Sequence, residues 1–166
     1  MNVTIIALCV VSFALNSILL ADETVEGKVT RVLDGDSILF TDSKSEEFEV
    51  QLEGIDAPEL KQEFGKESTE GLSKLLKDKS IRMTWKSRDN FERPLAQVYV
   101  GDKHINLEMI KLGLAWHFKK YNQDEVLAKA ETEAKEAKLG LWTKESPMAP
   151  WDYRRENKAP DKPMKK

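Results

Sequence analysis

Cysteine and histidine are scarce in this sequence. The only cysteine of the 166 residues is Cys9, so a chain cleaved near Ala21 contains no thiol and can form no disulfide. The two histidines, His104 and His117, have no partner ligands at the spacing of a metal site, and we interpret both as surface or structural residues. The composition therefore argues against a disulfide scaffold and against a histidine-based metal centre.

An excess of positive charge is also absent. Lys and Arg number 26 against 29 Asp and Glu, a net charge of -3, which argues against a protein that holds nucleic acid by its overall charge. Any phosphate site must therefore be local. Two basic stretches exist, and a solvated surface explains each at least as well as a nucleic-acid contact does. They comprise Lys74, Lys77, Lys79, Arg82, Lys86 and Arg88, and the tail residues Arg154, Arg155, Lys158, Lys162, Lys165 and Lys166.

Charged side chains are missing from the apolar segment between Met1 and Leu20. We predict that residues 1–21 are a signal peptide or a membrane anchor, with the signal ranked first, the anchor second and a buried core helix third. The mature chain would then start near Asp22, and the protein would be secreted or located in the periplasm or cell envelope. Contact with a membrane is expected only if this segment is not cleaved.

The rest of the chain shows strand and helix patterns in turn. Apolar residues alternate over 25–32, 38–40, 48–52, 81–85 and 95–100, which predicts five short strands. Helices are predicted over Lys66–Lys77, Ile105–Leu112 and Asp124–Leu139. The order β-β-β-α-β-β-α-α predicts a mainly β plus α fold, a five-stranded OB-type Greek-key barrel with about three helices. We expect one domain over 25–154 and a disordered charged tail over 155–166.

Acidic residues follow two of the predicted strands. Asp34-Gly35-Asp36-Ser37 taken alone is an ordinary hairpin turn, but Gly54-Ile55-Asp56-Ala57-Pro58-Glu59 ends the third strand with further carboxylates. Carboxylates at adjacent strand ends repel each other unless a cation lies between them. Ca²⁺ accepts this mixture of carboxylate, backbone carbonyl and water ligands. The spacing therefore predicts a metal site.

Together with these two segments, four later ones resemble the staphylococcal nuclease family. They are Asp89-Asn90-Phe91-Glu92-Arg93, then residues 105–115 (INLEMIKLGLA), then residues 134–142 (AKEAKLGLW), then Pro150-Trp151-Asp152-Tyr153-Arg154. Each motif alone is weak, but the motifs stand in order with sensible spacing over roughly Val25 to Arg154. The chain is thus similar to this family over most of its length.

The resemblance implies an active site and a substrate. Asp36 and Asp56 would bind Ca²⁺ with the carbonyl of Ala57, Glu59 would activate or orient the attacking water, and Arg93 would neutralise charge on the phosphate. The implied substrate is DNA or RNA, cut with little sequence preference. We expect a monomer with no stable protein partner.

Gln51 departs from the family pattern, because it stands where the family has a second arginine. Glutamine carries no charge and cannot form the bidentate guanidinium pair with phosphate. Without a substitute cation, such as Arg88 or Lys61, the rate would fall by on the order of 10²–10⁵. A catalytically inactive OB-type module that binds nucleic acid is therefore the alternative function.

Three lesser departures lie in or beside the loop of Arg93, one of which is Pro94 directly after the arginine. Glu92 replaces a glycine that permits a positive φ, and Phe91 replaces a tyrosine. The loop is therefore predicted to have a different shape from that of the family.

The segment after the second predicted helix interleaves aromatic rings with lysines. Phe118, Lys119 and Tyr121 suit base stacking combined with phosphate attraction, although core packing explains Phe118 and Tyr121 equally well. Asn106 is predicted to be a buried structural residue. Trp142, Trp151 and Tyr153 are predicted to fasten the end of the chain to the barrel.

Overall fold

The computed structural model describes residues 23–157. The predicted signal or anchor segment and the last nine residues of the predicted tail, 158–166, lie outside the described residues. The elements in chain order are β1 (Glu23–Val32), β2 (Ser37–Asp42), β3 (Glu47–Leu52), β4 (Ile55–Asp56), α1 (Gly65–Leu76), β5 (Ile81–Arg88), β6 (Pro94–Val100), β7 (Lys103–His104), α2 (Ile105–Lys111), β8 (Trp116–His117), α3 (Glu125–Glu136), a 3-10 helix (Gly140–Thr143) and α4 (Pro150–Glu156).

The five longer strands close into a mixed barrel of OB type, as predicted. β1 pairs antiparallel with β2 and β5, β2 pairs with β3, and β5 pairs with β6. The barrel closes where β3 and β6 run parallel, with Gln51 opposite Leu95 and Leu52 opposite Ala96. This closure brings the strand that carries Gln51 next to the strand that follows Arg93.

Alternation along the strands supplies the core. In β3, Val50 and Leu52 are fully buried while Glu49 and Gln51 face the other side and are partly exposed. Ile38, Phe40, Met83 and Val98 fill the same interior from the other strands. The predicted strand periods are therefore confirmed, because each follows from burial of one strand face.

The helices number four among the described residues, against the three predicted. α1, α2 and α3 match their predicted positions within a few residues, and α2 packs against α1, α3 and β6. The additional helix, α4, includes Arg155 and Glu156, which the sequence pattern assigned to the tail. Pro150 begins this helix, because proline is tolerated in a first turn that needs no N–H. No helix within residues 23–157 is long and apolar enough to cross a membrane.

Asp56 is held by two short strands, β4 and β8, which the periodicity of the sequence did not predict. β4 pairs antiparallel with β8, which puts Ile55 opposite His117 and Asp56 opposite Trp116. A two-residue strand is too short to leave a periodic pattern. The pairing ties the segment after β3 to the chain that leaves α2.

Candidate active site

The turn between β1 and β2 directs Asp36 inward. The Asp34 Oδ1 atom accepts hydrogen bonds from the backbone N–H groups of Asp36 and Ser37 at 3.0 and 2.8 Å. Gly35 lies so close to α1 that a Cβ atom there would overlap the Ser68 hydroxyl and the Ala57 side chain. The turn therefore needs glycine for a close approach, and an aspartate before it to hold its shape.

Asp36 and Asp56, the two predicted metal ligands, lie together in the described structure. Their exposed fractions are 7% and 4%. Ala57 follows Asp56 in the chain, and its backbone N–H donates to Asp36 Oδ2 at 2.6 Å. The predicted role of Ala57 was that of a carbonyl ligand, whereas the contact seen is made through its N–H.

Burial and like charge make both carboxylates reluctant to ionise. Burial raises the pKa of Asp36 well above its ordinary value, and the charges of Asp34 and Asp56 raise it further. Burial also raises the pKa of Asp56, although Arg154 opposes the shift. A cation between them would relieve this repulsion.

Arg154 supplies a positive charge to this cluster. Its Nη1 and Nη2 atoms donate to Asp56 Oδ1 and Oδ2 at 3.0 and 2.7 Å, a bidentate pair, and Nη1 also donates to Glu59 Oε1 at 2.8 Å. The hydrogen bonds to Asp56 are the largest cause of the raised pKa of Arg154. No role at the site was predicted for Arg154, which was grouped with the basic residues near the end of the chain. The one available signal was that it ends the last motif of the family resemblance.

Glu59 and Arg154 open to solvent. Their side chains are 36% and 44% exposed. They line a cleft of about 620 Å³ together with Leu60, Lys61, Tyr153 and Asn157. The acidic cluster thus has a buried part, Asp36 and Asp56, and a solvent-facing part where a ligand can enter.

Arg93 has its own acidic partners beside β3. It contacts Asp89 at 2.7 Å and Glu49 at 2.8 Å. Burial opposes the shift, but hydrogen bonds from Arg93 and from backbone N–H groups hold the pKa of Asp89 below its ordinary value. Glu49 and Gln51 are two residues apart on one strand face, about 7 Å along the strand. Arg93 therefore lies near Gln51, but its ion-pair partners are Asp89 and Glu49.

The loop that carries Arg93 keeps a left-handed residue in spite of its sequence. Glu92 has φ of 64°. We expected Glu92 to resist a positive φ and so to change the shape of this loop; the expected resistance is wrong, because Glu92 adopts the positive φ. A hydrogen bond from the Glu92 N–H to the Asp89 carbonyl and one from Arg88 to the Glu92 carbonyl hold the turn.

Gln51 borders the acidic cluster from the barrel side. It pairs with Ser37 in β2, next to Asp36. Its side-chain amide interacts with the Asp36 carboxylate and lowers the pKa of that group, against the larger effect of burial. Gln51 therefore supports a buried carboxylate in this structure. Of the two substitute cations considered from sequence, Arg88 bonds the Glu92 carbonyl, whereas Lys61 lines the cleft.

The aromatic segment forms a small cluster with α4. Phe118 stacks on Trp151, with ring centroids 5.4 Å apart and an interplanar angle of 12°, and meets Tyr121 edge to face. Tyr121 is 71% exposed. Lys119 binds Glu131 at 2.7 Å. Tyr121 is therefore the member best placed to stack on a base, while Phe118 and Lys119 also have partners within the protein.

Three sequence interpretations of structural residues are confirmed. Asn106 is fully buried and bonds the backbone of Glu53, Ala96 and Val98. His117 is 3% exposed, and His104 bonds Gln97. Trp142 and Trp151 both pack on Trp116, which anchors the end of the chain.

The donor set fits a hard cation with few protein ligands. No group of three or more His, Cys, Asp or Glu side chains has metal-binding geometry within residues 23–157. Asp36 and Asp56 can nevertheless supply carboxylate oxygens to an ion that completes its shell with backbone oxygen and water, as Ca²⁺ does. The guanidinium of Arg154 shows that the oxygens of Asp56 accept a cationic partner.

A small OB-type barrel with buried carboxylates beside an open, arginine-containing cleft is an arrangement that can serve nucleic-acid binding or phosphate chemistry. Residues 49–144 match the model of the staphylococcal nuclease homologue family. The chain belongs to the staphylococcal nuclease family.

Relatives from bacteria and plants agree with this assignment. An "Uncharacterized endonuclease" of Escherichia coli O157:H7 is 41% identical over 131 residues, which cover 78% of this chain and 85% of that protein. One of the same description from Haemophilus influenzae is 37% identical and covers 79% and 74%. "Staphylococcal-like nuclease CAN1" of Arabidopsis thaliana is 35% identical over 67% of this chain and 34% of that longer protein.

Proposed function

We propose that the protein is a Ca²⁺-dependent phosphodiesterase that hydrolyses DNA or RNA with little sequence preference and acts as a monomer without a stable protein partner. The observation that carries the proposal is the juxtaposition of two buried carboxylates, Asp36 and Asp56, with Glu59, which lines an open cleft. The names of the bacterial and plant relatives support the same activity.

The residues divide the chemistry among them. A Ca²⁺ ion held by Asp36, Asp56 and the Ala57 carbonyl would polarise a phosphoryl oxygen. Glu59 is exposed enough to orient the attacking water and would accept its proton at a carboxylate oxygen. Arg93 would bind the phosphate from the β3 side after exchanging one of its acidic partners for it.

Weak sequence preference follows from the kind of contact that is available. Tyr121 offers an exposed ring, and stacking on a ring tolerates any base. Phosphate contacts position a strand but carry no base information. DNA and RNA are therefore both admitted as substrates.

A digestion assay on fluorescent single-stranded DNA and RNA tests the proposal. We expect cleavage with Ca²⁺ and none with a chelator, because the carboxylate pair needs the ion to bind phosphate. Asp36→Asn and Glu59→Gln should each lower the rate by on the order of 10² or more. The control is Asp102→Asn, which changes an exposed carboxylate in a turn and should cut like the wild type. Cleavage that persists in the chelator would contradict the proposal.

The alternative function, an inactive binding module, is favoured by Gln51 and its contact with Asp36. The same assay separates the two functions when oligonucleotide binding is measured alongside. Binding without cleavage, in the wild type and in Gln51→Arg, would support the binding module.

A further inference from the structure

Arg154 is held in position by contacts of its helix as well as by its own ion pairs with the acidic cluster. Trp151, one helical turn before it in α4, stacks on Phe118 and meets Trp116 edge to face. The loop before α4 is tied down where the Gln62 side chain donates to the Met148 carbonyl at 2.7 Å. The guanidinium therefore reaches Asp56 from a fixed helix.

The contacts of Arg154 are those of a group that can exchange partners. Its fork covers both oxygens of Asp56, and its side chain is still 44% exposed toward the cleft. A guanidinium stays charged at any physiological pH, and it fits phosphate with the same bidentate geometry as carboxylate. Once Asp56 gives its oxygens to a divalent cation, Arg154 loses this partner and is repelled by the new charge.

A phosphate bound to a cation that Asp56 holds would lie next to Arg154, since the guanidinium already touches Asp56 and Glu59. Gln51, whose side chain interacts with Asp36, supplies no charge. The site would thus contain two phosphate-binding guanidinium groups, Arg93 and Arg154, without an arginine at position 51.

We propose that Arg154 is the second phosphate-binding arginine of this site, held by Asp56 and Glu59 until cation and substrate arrive. The inference rests on the proposed nuclease function. It assigns to α4 a task that the family pattern places in β3. It also explains how the chain can retain Asp36, Asp56 and Glu59 with a neutral Gln51.

The first test measures Ca²⁺ affinity by titration calorimetry without substrate. In Arg154→Gln we expect Ca²⁺ to bind at least about threefold more tightly, because the competing counter-ion is gone. The matched control is Arg155→Gln, the next residue of the same helix, which pairs with Asp152 and is 72% exposed. Its affinity should equal that of the wild type. Equal or weaker binding in Arg154→Gln would overturn the release step and with it the proposal.

The second test measures turnover. Arg154→Gln should lower kcat by on the order of 10² or more, Arg155→Gln should leave it unchanged, and Arg154→Lys should fall between because it keeps the charge but loses the fork. Adding Gln51→Arg should restore more activity in Arg154→Gln than it adds to the wild type. Unchanged kcat in both Arg154 variants, in a wild type that cleaves, would overturn the inference and leave the nuclease function standing.

A wild type that binds but does not cleave would refute the nuclease function and still test Arg154. Oligonucleotide affinity in Ca²⁺ should then fall in Arg154→Gln and not in Arg155→Gln. Equal affinities in the two variants would overturn the phosphate-binding role. Melting curves near that of the wild type, with Arg154→Lys as the milder change, verify that each variant is folded.

Discussion

Two residues at this site have environments that are unfavourable in free energy, and contacts with their neighbours offset part of that cost. Asp36 is buried beside Asp34 and Asp56, and Glu92 holds a left-handed conformation that side chains other than glycine adopt rarely. Hydrogen bonds from the Ala57 N–H and the Gln51 side chain partly offset the first, and hydrogen bonds within the loop offset the second. Both lie in segments that carry candidate active-site residues.

Glu92 gives a prediction about stability. Glu92→Gly should relieve a left-handed penalty of about 1–2 kcal/mol at an entropic cost of about 0.5–1 kcal/mol, a net gain of up to roughly 1.5 kcal/mol. Glu92→Val should lose about 1 kcal/mol or more, because a β-branched residue resists positive φ most. Chemical denaturation of the two variants measures the difference. A glycine variant no more stable than the valine variant would show that the loop conformation is not strained.

At the scale of elements, the approach of α3 to β8 depends on one buried acid. Glu131 is 2% exposed, accepts from the His117 N–H at 3.0 Å and binds Lys119 and Lys135. Burial opposes the shift, but the hydrogen bonds from the two lysines hold the pKa of Glu131 below its ordinary value of 4.5. β8 in turn pairs with Asp56 in β4, so Glu131 helps to hold the strand that positions Asp56.

The pH dependence of that support has a definite sign. A lowered pKa means that the folded state favours the carboxylate, so the stability it contributes is present above pH 4.5 and is lost as the pH falls through the folded value. Glu131→Gln should cost about 1–3 kcal/mol at pH 7, and the difference from the wild type should shrink in acid. Denaturant titrations at several pH values measure this difference.

Glu133→Gln is the control for that experiment. Glu133 lies on the same helix in an exposed pair with Lys129, and its loss should cost about 0.5 kcal/mol or less. A Glu131 variant that costs no more than this control, or one whose cost grows in acid, would contradict the assigned role.

At the scale of the whole molecule, the apolar first segment leads to a prediction about where the protein is located. We propose that residues 1–21 direct export and that the mature protein begins near Asp22, since an uncharged apolar run is followed by a polar, acidic one. The first barrel strand begins at Glu23, so cleavage before Asp22 would leave every strand of the barrel intact. Mass spectrometry of the protein expressed in a bacterial host, in which export can be followed, should find this mature form outside the cytoplasm. Full-length protein that requires detergent would favour the anchor instead.

Much of this architecture is readable in local patterns. The alternation of Val50 and Leu52 with Glu49 and Gln51 follows from burial of one strand face, and the pattern survives in the fold unchanged. The hydrogen bonds that shape the acidic turn at Asp34 and Asp36 likewise join residues within three positions of each other. Such features are predictable because the interactions that create them lie between residues close in the chain.

The contact between Asp56 and Arg154, by contrast, could not be predicted from local patterns. Arg154 lies 98 residues from it, and the contact exists because Trp151 packs on Phe118 and Trp116 and sets the approach of α4 to the cluster. The bonding of Arg93 to Glu49 across 44 residues depends in the same way on the closure of β3 against β6. Sequence motifs identified which acids and arginines the protein has. Which arginine faces which acid follows from long-range packing, because no local periodicity encodes the docking of one element on another.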